Sequence, residues 1–195
     1  MDKEEVISVF KNPPTISTDR LILRKISPDD YRDMYEYSSS SKVTRYLLWH
    51  RHPNINYTRE YAKYLMDKYR EGVFYDWAIE VKENHKMIGT VGFSSFDFEG
   101  NCAEIGYVLA PDYQHEGYAT EAAKRVIEFG FSTLHADKIY ARYMYRNHAS
   151  RRVMDRCGML PERVDRRAVK RGLRYTDVVV CSILSSQYYN NSADK

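Results

Sequence analysis

Six residues in the middle of the chain, Gln114-His115-Glu116-Gly117-Tyr118-Ala119, have types and spacing suited to holding a phosphate. Gly117 and Ala119 stand where a helical pattern begins: Ala123, Val126, Ile127, Gly130, Phe131 and Leu134 recur at three- and four-residue spacing, with Lys124, Arg125 and Glu128 opposite. The first four N–H groups of a helix have no acceptor within it, and the macrodipole adds about half a positive charge there. Small residues at the entrance let an anionic phosphate approach the N–H groups of His115 to Thr120, and the Gln114 amide adds a donor. A Gly at a strand–helix junction can equally serve only to make the turn, and spacing alone leaves both uses open.

The neighbouring elements must position that stretch. Cys102 to Leu109 is a strand-like run ending at Ala110-Pro111, because proline cannot donate to a ladder. Before it, Trp77, Ile79 and Val81 alternate with Ala78 and Glu80, Glu83-Asn84-His85 makes a hairpin turn, and Met87 to Phe96 returns, giving three antiparallel strands in series. Lys138 to Tyr145 reads as a further strand, entered through a helix and so parallel to 102–109. Ala149 to Cys157 is a helix closed by Gly158, and Arg163 to Val169 with Tyr175 to Leu184 forms a last hairpin around Arg171-Gly172.

Upstream, Arg20 to Ile26 is the first strand, and Ser27-Pro28-Asp29-Asp30 reads as a capping box before a helix with Tyr31, Met34 and Tyr35 on its apolar side. Ser38 to Ser41 breaks that helix, and a short helical piece is expected from Val43 to Leu48. Thr58 is expected to cap a helix with Tyr61, Ala62, Leu65, Met66 and Tyr69 on one face, ending at Gly72. Residues 1–14 are expected as an arm or a loosely docked segment, 15–186 as a single domain, and 187–195 as a flexible part of the polar tail that begins at Ser185. The fold class is α/β: a mixed, mostly antiparallel central sheet with one parallel pair and helices on both faces.

At 195 residues the chain is sized for one domain that buries most of its apolar surface. A net charge of +3 is too small to make nucleic acid the main partner. No apolar run reaches the ~18 residues of a membrane span, and the charged N-terminus lacks a signal core, so no membrane partner is expected. Cys102, Cys157 and Cys181 read as reduced thiols of a cytoplasmic protein. The histidines are dispersed, His50-x-His52 being the only close pair, so no metal site is expected. Gly89-Thr90-Val91-Gly92 does not make a nucleotide fingerprint. The cations of Arg163–Arg174 can grip RNA or form the solvated face of a hairpin, and the alternation favours the hairpin.

Gln114-x-x-Gly117-x-Ala119 resembles the Q/R-x-x-G-x-G/A signature of the GNAT acetyltransferase superfamily, which holds the pyrophosphate of acetyl-CoA. Thr18-Asp19-Arg20-Leu21-Ile22-Leu23-Arg24 is similar to the opening strand of its RimJ/RimL-like branch, and Asn147-x-x-Ser150 with Met154 and Cys157-Gly158-Met159 to that branch's N-x-x-S … G-F segment. The resemblance covers about residues 15 to 186. It implies an acetyl-CoA-dependent N-acetyltransferase acting on a primary amine in a ternary complex. A protein or peptide N-terminal α-amine leads among acceptors, with a polyamine, aminoglycoside or amino acid as alternative. A non-catalytic acyl-CoA-binding protein or an RNA-associated one is the remaining alternative, and the chain is expected as monomer or homodimer.

The resemblance also implies that strands 102–109 and 138–145 splay apart, admitting the pantetheine arm, with a bulge at Tyr107 to Leu109 aiming an N–H at the thioester carbonyl. It assigns cofactor contacts to Tyr107, Val108, Leu109, Gln114, His115, Glu116, Gly117, Tyr118, Ala119, Thr120, Asn147 and Ser150, and substrate contacts to Trp49 and Tyr107. Asn147 would bond the pantetheine or the neighbouring loop, and Ser150 would stabilise or protonate the departing thiolate.

An α-amine titrates near ~8 and a lysine side chain near ~10.4, so an enzyme for α-amines needs only a modest base or a water relay. Glu104 is the side-chain candidate for that base, and an ordinary strand carboxylate paired to a Lys or Arg is the alternative. Met154 stands where many members place a tyrosine as general acid, which shifts that burden to Ser150. Ser150 could also be a plain helix N-cap.

Overall fold

The computed structural model describes residues 1–171 and 174–193 and contains a sheet of eight strands. They are β1 (Ile16–Ser17), β2 (Leu21–Arg24), β3 (Asp76–Val81), β4 (Met87–Asp97), β5 (Cys102–Leu109), β6 (Lys138–Met144), β7 (Leu160–Arg171) and β8 (Arg174–Leu184). Their spatial order is β1-β2-β3-β4-β5-β6-β8-β7, and only β5 and β6 run parallel, as the intervening helix requires. The expected turn at Arg171-Gly172 includes Gly172, which lies outside the described residues.

Strand β3 is buried at both alternating sets of positions, because helices cover both faces of the sheet. On one face Trp77, Ile79, Phe93 and Ile105 pack with Val126, Ile127 and Phe129 of the helix α5 (Tyr118–Ser132). On the other, Ala78 and Met87 pack with Met34 and Tyr37 of α2 (Tyr31–Ser38) and with Leu65 and Tyr69 of α4 (Ile55–Glu71). The expected capping box forms: the Ser27 hydroxyl and Asp30 carboxylate cap a 3-10 turn, Pro28–Asp30, that runs into α2.

Several expectations need correction. The supposed arm, residues 1–14, carries α1 (Lys3–Lys11), whose Val6 and Phe10 lie one turn apart and are fully buried in the main core. Burial of two such side chains contributes about 1.5–3 kcal/mol each, enough to dock an otherwise charged helix. Phe10 sits edge-on to Trp77 at 5.2 Å, and the Trp77 indole donates to the Pro14 carbonyl at 2.8 Å. Asn54, not Thr58, caps α4, accepting from the Tyr57 N–H at 2.9 Å, while the Thr58 hydroxyl is engaged by His52 at 2.8 Å. The helical piece after the Ser-rich break is α3 (Ser41–Thr44), one turn long rather than reaching Leu48. The segment from Ser185 continues as α7 (Ser185–Ala193), where a polar tail was expected.

The bulge lies elsewhere than expected. Tyr107, Val108 and Leu109 pair in regular register with Val91, Thr90 and Gly89, whereas the register shifts between Phe93 and Ser95, leaving Ser94 of β4 as the extra residue. The reason is room: Gly106 lies beside Ser94, and a Cβ on it would stand 2.7 Å from the Ser94 hydroxyl. The parallel pair does splay. Strand β5 pairs with β6 only over Cys102–Glu104 against Lys138–Tyr140, while β6 stays paired to β8 as far as Met144.

Candidate active site

Past Leu109 the chain makes a 3-10 turn, Pro111–Tyr113, and enters α5 through two left-handed residues, His115 (φ 73°) and Gly117 (φ 85°). Alternation of left- and right-handed residues turns successive N–H groups toward one concavity, a shape that suits an anion. Among the described residues, the N–H groups of His115 to Thr120 reach no protein acceptor; the next, Glu121, bonds the Gly117 carbonyl at 3.0 Å. The Gln114 amide donates to the Leu109 carbonyl at 3.2 Å and so ties the loop back to β5.

The opening motif explains itself here. Arg20 binds Glu121 through its guanidinium at 2.7 Å and the Glu116 carbonyl at 3.0 Å, and lies over the Tyr118 ring at 4.4 Å. The Thr18 hydroxyl adds a bond to Glu121 at 2.6 Å. Burial opposes the Glu121 charge, but the Thr18 and Arg20 bonds outweigh it and hold the carboxyl below its usual range. The loop and the first turn of α5 are thereby clamped to the end of β2.

The facing wall is α6 (His148–Arg156). Its cap is Asn147, whose side-chain oxygen accepts from the Ser150 N–H at 3.2 Å and whose amide donates to the Ser150 hydroxyl oxygen at 2.8 Å. Ser150 is therefore the third residue of the helix and not its cap, and its hydroxyl hydrogen is not spent on Asn147. The Tyr107 phenol donates to the Ser150 carbonyl at 3.0 Å, and burial pushes that phenol well above its ordinary value, so it stays neutral.

These walls enclose a cleft with two connected halves. The inner half, about 220 Å³, is lined by Tyr107, Val108, Leu109, Gln114, His115, Gly117, Tyr118, Ala119, Thr120, Asn147 and Ser150. Glu116 is the exception among the expected cofactor contacts: it does not line the cavity, and its carbonyl faces Arg20. The sequence reading missed Lys42, Arg152 and Arg156 in this half. The i, i+4 spacing of Arg152 and Arg156 was the available signal, since it puts both on one helix face.

The outer half, about 290 Å³, contains Glu104, Trp49 and Met154 and meets the inner half at Tyr46, Leu47, Tyr107, Val108, Asn147 and Ser150. Val169 of the basic hairpin also lines it, and Arg171 of that hairpin reaches the Thr44 carbonyl at 3.5 Å, so β7 flanks the cleft. Glu104 is buried and tied at 2.8 Å to Arg142, whose guanidinium the bond to Glu104 holds above its ordinary value. That is the paired strand carboxylate of the alternative reading.

The outer half holds a second carboxylate that the sequence reading did not single out. Asp76 opens β3 opposite Gly92, which in turn lies opposite Gly106. It lines the cleft, makes no side-chain hydrogen bond or ion pair among the described residues, and is pushed up to about 7 by burial. A single sequence gives no sign of it, because the row Asp76–Gly92–Gly106 exists only once three strands are in register.

A split parallel pair, N–H groups without a protein acceptor among the described residues at a helix start beyond it, and polar groups at the junction suit an acyl donor carried on a phosphorylated arm, as the resemblance to the acetyltransferases implies. The pattern of the acetyltransferase (GNAT) domain matches residues 20–160, and the chain belongs to that family. It is 32% identical over 174 residues to an uncharacterized N-acetyltransferase, p20, of Bacillus licheniformis, covering 89% of this chain and 98% of that one. A spermidine N(1)-acetyltransferase of Vibrio cholerae is 24% identical over 174 residues, with 89% and 98% covered. A GNAT-family acetyltransferase structure from Bacillus anthracis superimposes with TM-score 0.80 at 26% identity, covering 89% of this chain and 99% of that one. The protein is thus an acetyl-CoA-dependent N-acetyltransferase. Its inner half fits that cofactor: an added Cβ on Gly117 would find nothing nearer than Arg20 at 3.4 Å, and three cations stand by.

Proposed function

We propose that the acceptor is the N-terminal α-amine of a protein or peptide, entering the outer half of the cleft as an ammonium. The observation that carries this is the charge inventory there among the described residues: one ion pair, Glu104–Arg142, and one carboxylate without a partner, Asp76. A single unpaired carboxylate matches a single ammonium, and a polyamine would bring one or more further charges with no free carboxylate among the described lining residues to meet them. The exposed Leu48 and Trp49 at the mouth add apolar surface for the residues that follow an N-terminus.

In this reading the N–H groups of His115 to Thr120 hold the pyrophosphate, and Lys42, Arg152 and Arg156 meet the remaining phosphate charge. Bound acetyl-CoA supplies an activated acetyl carbonyl and a thiolate leaving group. Ser150, which lines both halves, would donate to that leaving group, and the Asn147 amide bonded to its oxygen leaves its hydrogen free to do so. The motifs at Thr18–Arg24, Gln114–Ala119 and Asn147–Ser150 favour the RimJ/RimL-like branch. The spermidine acetyltransferase relative supports the rival reading of a polyamine acceptor.

The test is thiol release from acetyl-CoA across peptides with free N-termini, free amino acids, polyamines and aminoglycosides. Peptide N-termini should give the highest kcat/KM. A polyamine preferred by about tenfold, or 1.4 kcal/mol, would overturn the reading.

A further inference from the structure

We propose that Asp76 receives the acceptor's ammonium and takes the proton that the amine must lose before it attacks. The proposal rests on the reading of an ammonium acceptor given above. The carboxylate stands at the end of β3 in a row with Gly92 and Gly106, so the neighbouring strands put no side chain over it. A Cβ on Gly92 would come within 2.4 Å of its Oδ1: the bare backbone there is the seat of the carboxylate. Glu104, the other carboxylate of the same half, is committed to Arg142. A carboxylate in a cleft without a cation or donor is unstable as an anion, and an incoming ammonium relieves that cost.

The titratable groups around it leave the role to Asp76. Tyr37 of α2 and Tyr61 and Tyr69 of α4 face it, each held above its ordinary value first by burial and then in part by the Asp76 charge. They are neutral near pH 7 and cannot take a proton. Glu104 and Arg142 share the cavity and are already paired. With its carboxyl pushed up to about 7, Asp76 can accept a proton at neutral pH and release it again.

The step balances. The ammonium gives one proton to the Asp76 carboxylate, and the freed lone pair forms the C–N bond at the thioester carbonyl carbon. The carbonyl electron pair moves to oxygen and returns as the C–S bond breaks, leaving its pair on sulfur. The thiolate takes a second proton from the former amine by way of Ser150, and Asp76 releases its own proton to water. An amide, a thiol and one proton result.

The full chain, saturated with acetyl-CoA, is assayed on a peptide with a free N-terminus, comparing wild type with Asp76→Asn and Glu104→Gln as pH is varied. Wild type should give a bell-shaped kcat/KM, with an acid limb near about 7 from Asp76 and an alkaline limb near ~8, where the ammonium is lost. Asp76→Asn should lose the bell, its kcat/KM rising instead with the free amine toward ~8 and not levelling near about 7, and should fall at least about tenfold at pH 7 with acetyl-CoA affinity unchanged. Glu104→Gln should keep the limb. A bell-shaped profile with its acid limb still near about 7 in Asp76→Asn overturns the proposal and leaves the peptide acceptor standing. If no peptide is acetylated, the acceptor reading fails, and a measurement without turnover still decides the role of Asp76. At pH 8, n-butylammonium chloride should raise the Tm of wild type and not that of Asp76→Asn; an equal response of the two overturns the proposal.

Discussion

Replacing Asp76 with Asn should stabilise the ligand-free protein at neutral and alkaline pH and leave its stability at acid pH nearly unchanged. The sign follows from burial, which raises this carboxyl from 3.8 to about 7 in the folded chain. Below about pH 4 the group is protonated in both folded and unfolded states and costs nothing. Between about 4 and 7 the unfolded chain ionises while the folded chain holds its proton, so stability falls as pH rises. Above about 7 the whole penalty stands. Three decades at about 1.4 kcal/mol each set a ceiling near 4 kcal/mol. The group lines an open cleft that water enters, so we expect about 1–2 kcal/mol. Urea melts of both proteins at pH 4 and pH 8 check this, because the other titrating groups are common to the two and cancel in the double difference. Each kcal/mol corresponds to about 2–4 °C in Tm for a chain of this size. A difference that does not change with pH, or a wild type more stable than the Asn variant at pH 8, would refute the reasoning.

Ser150→Ala should leave the Tm near that of wild type, because Asn147 and not Ser150 caps α6, and should lower kcat at least about tenfold with acetyl-CoA affinity unchanged. Wild-type turnover in that variant would make the serine structural. Gly117→Val forces a β-branched residue into a left-handed conformation at φ 85° and fills the cradle. Calorimetry should show acetyl-CoA affinity at least about tenfold weaker, or 1.4 kcal/mol, with the fold retained; unchanged affinity would place the pyrophosphate elsewhere.

What could be read from the sequence was local. The loop into α5 was legible because small residues precede a helical repeat within one short stretch, Gln114 to Leu134. The parallel β5–β6 pair was legible because a helix joins the two strands, and a helix crossover admits little else. Where two residues compete for one task, the sequence could not choose. Asn54 and Thr58 are both good caps, as are Asn147 and Ser150, and contacts from distant or folded-back groups decide between them. The helix α1 was missed because its charges mask two apolar residues that count only when Trp77 and Phe93 are there to receive them.

The outer half of the cleft shows the same limit from the functional side. The sequence reading placed the base at Glu104 because that residue lies on the central strand, which is a property of one segment. What separates the two carboxylates is what faces each. Glu104 stands directly opposite Tyr140 of β6 and next in reach of Arg142, so the strand that splays away from β5 also supplies its partner cation. Asp76 stands opposite a glycine that is itself opposite a glycine, so among the described residues no cation or hydrogen-bond donor comes to meet its carboxylate. One carboxylate is neutralised by the fold and the other is left for a ligand. The glycines at 92 and 106 therefore carry functional weight without touching any proton, and side chains there would close the seat that distinguishes Asp76 from Glu104.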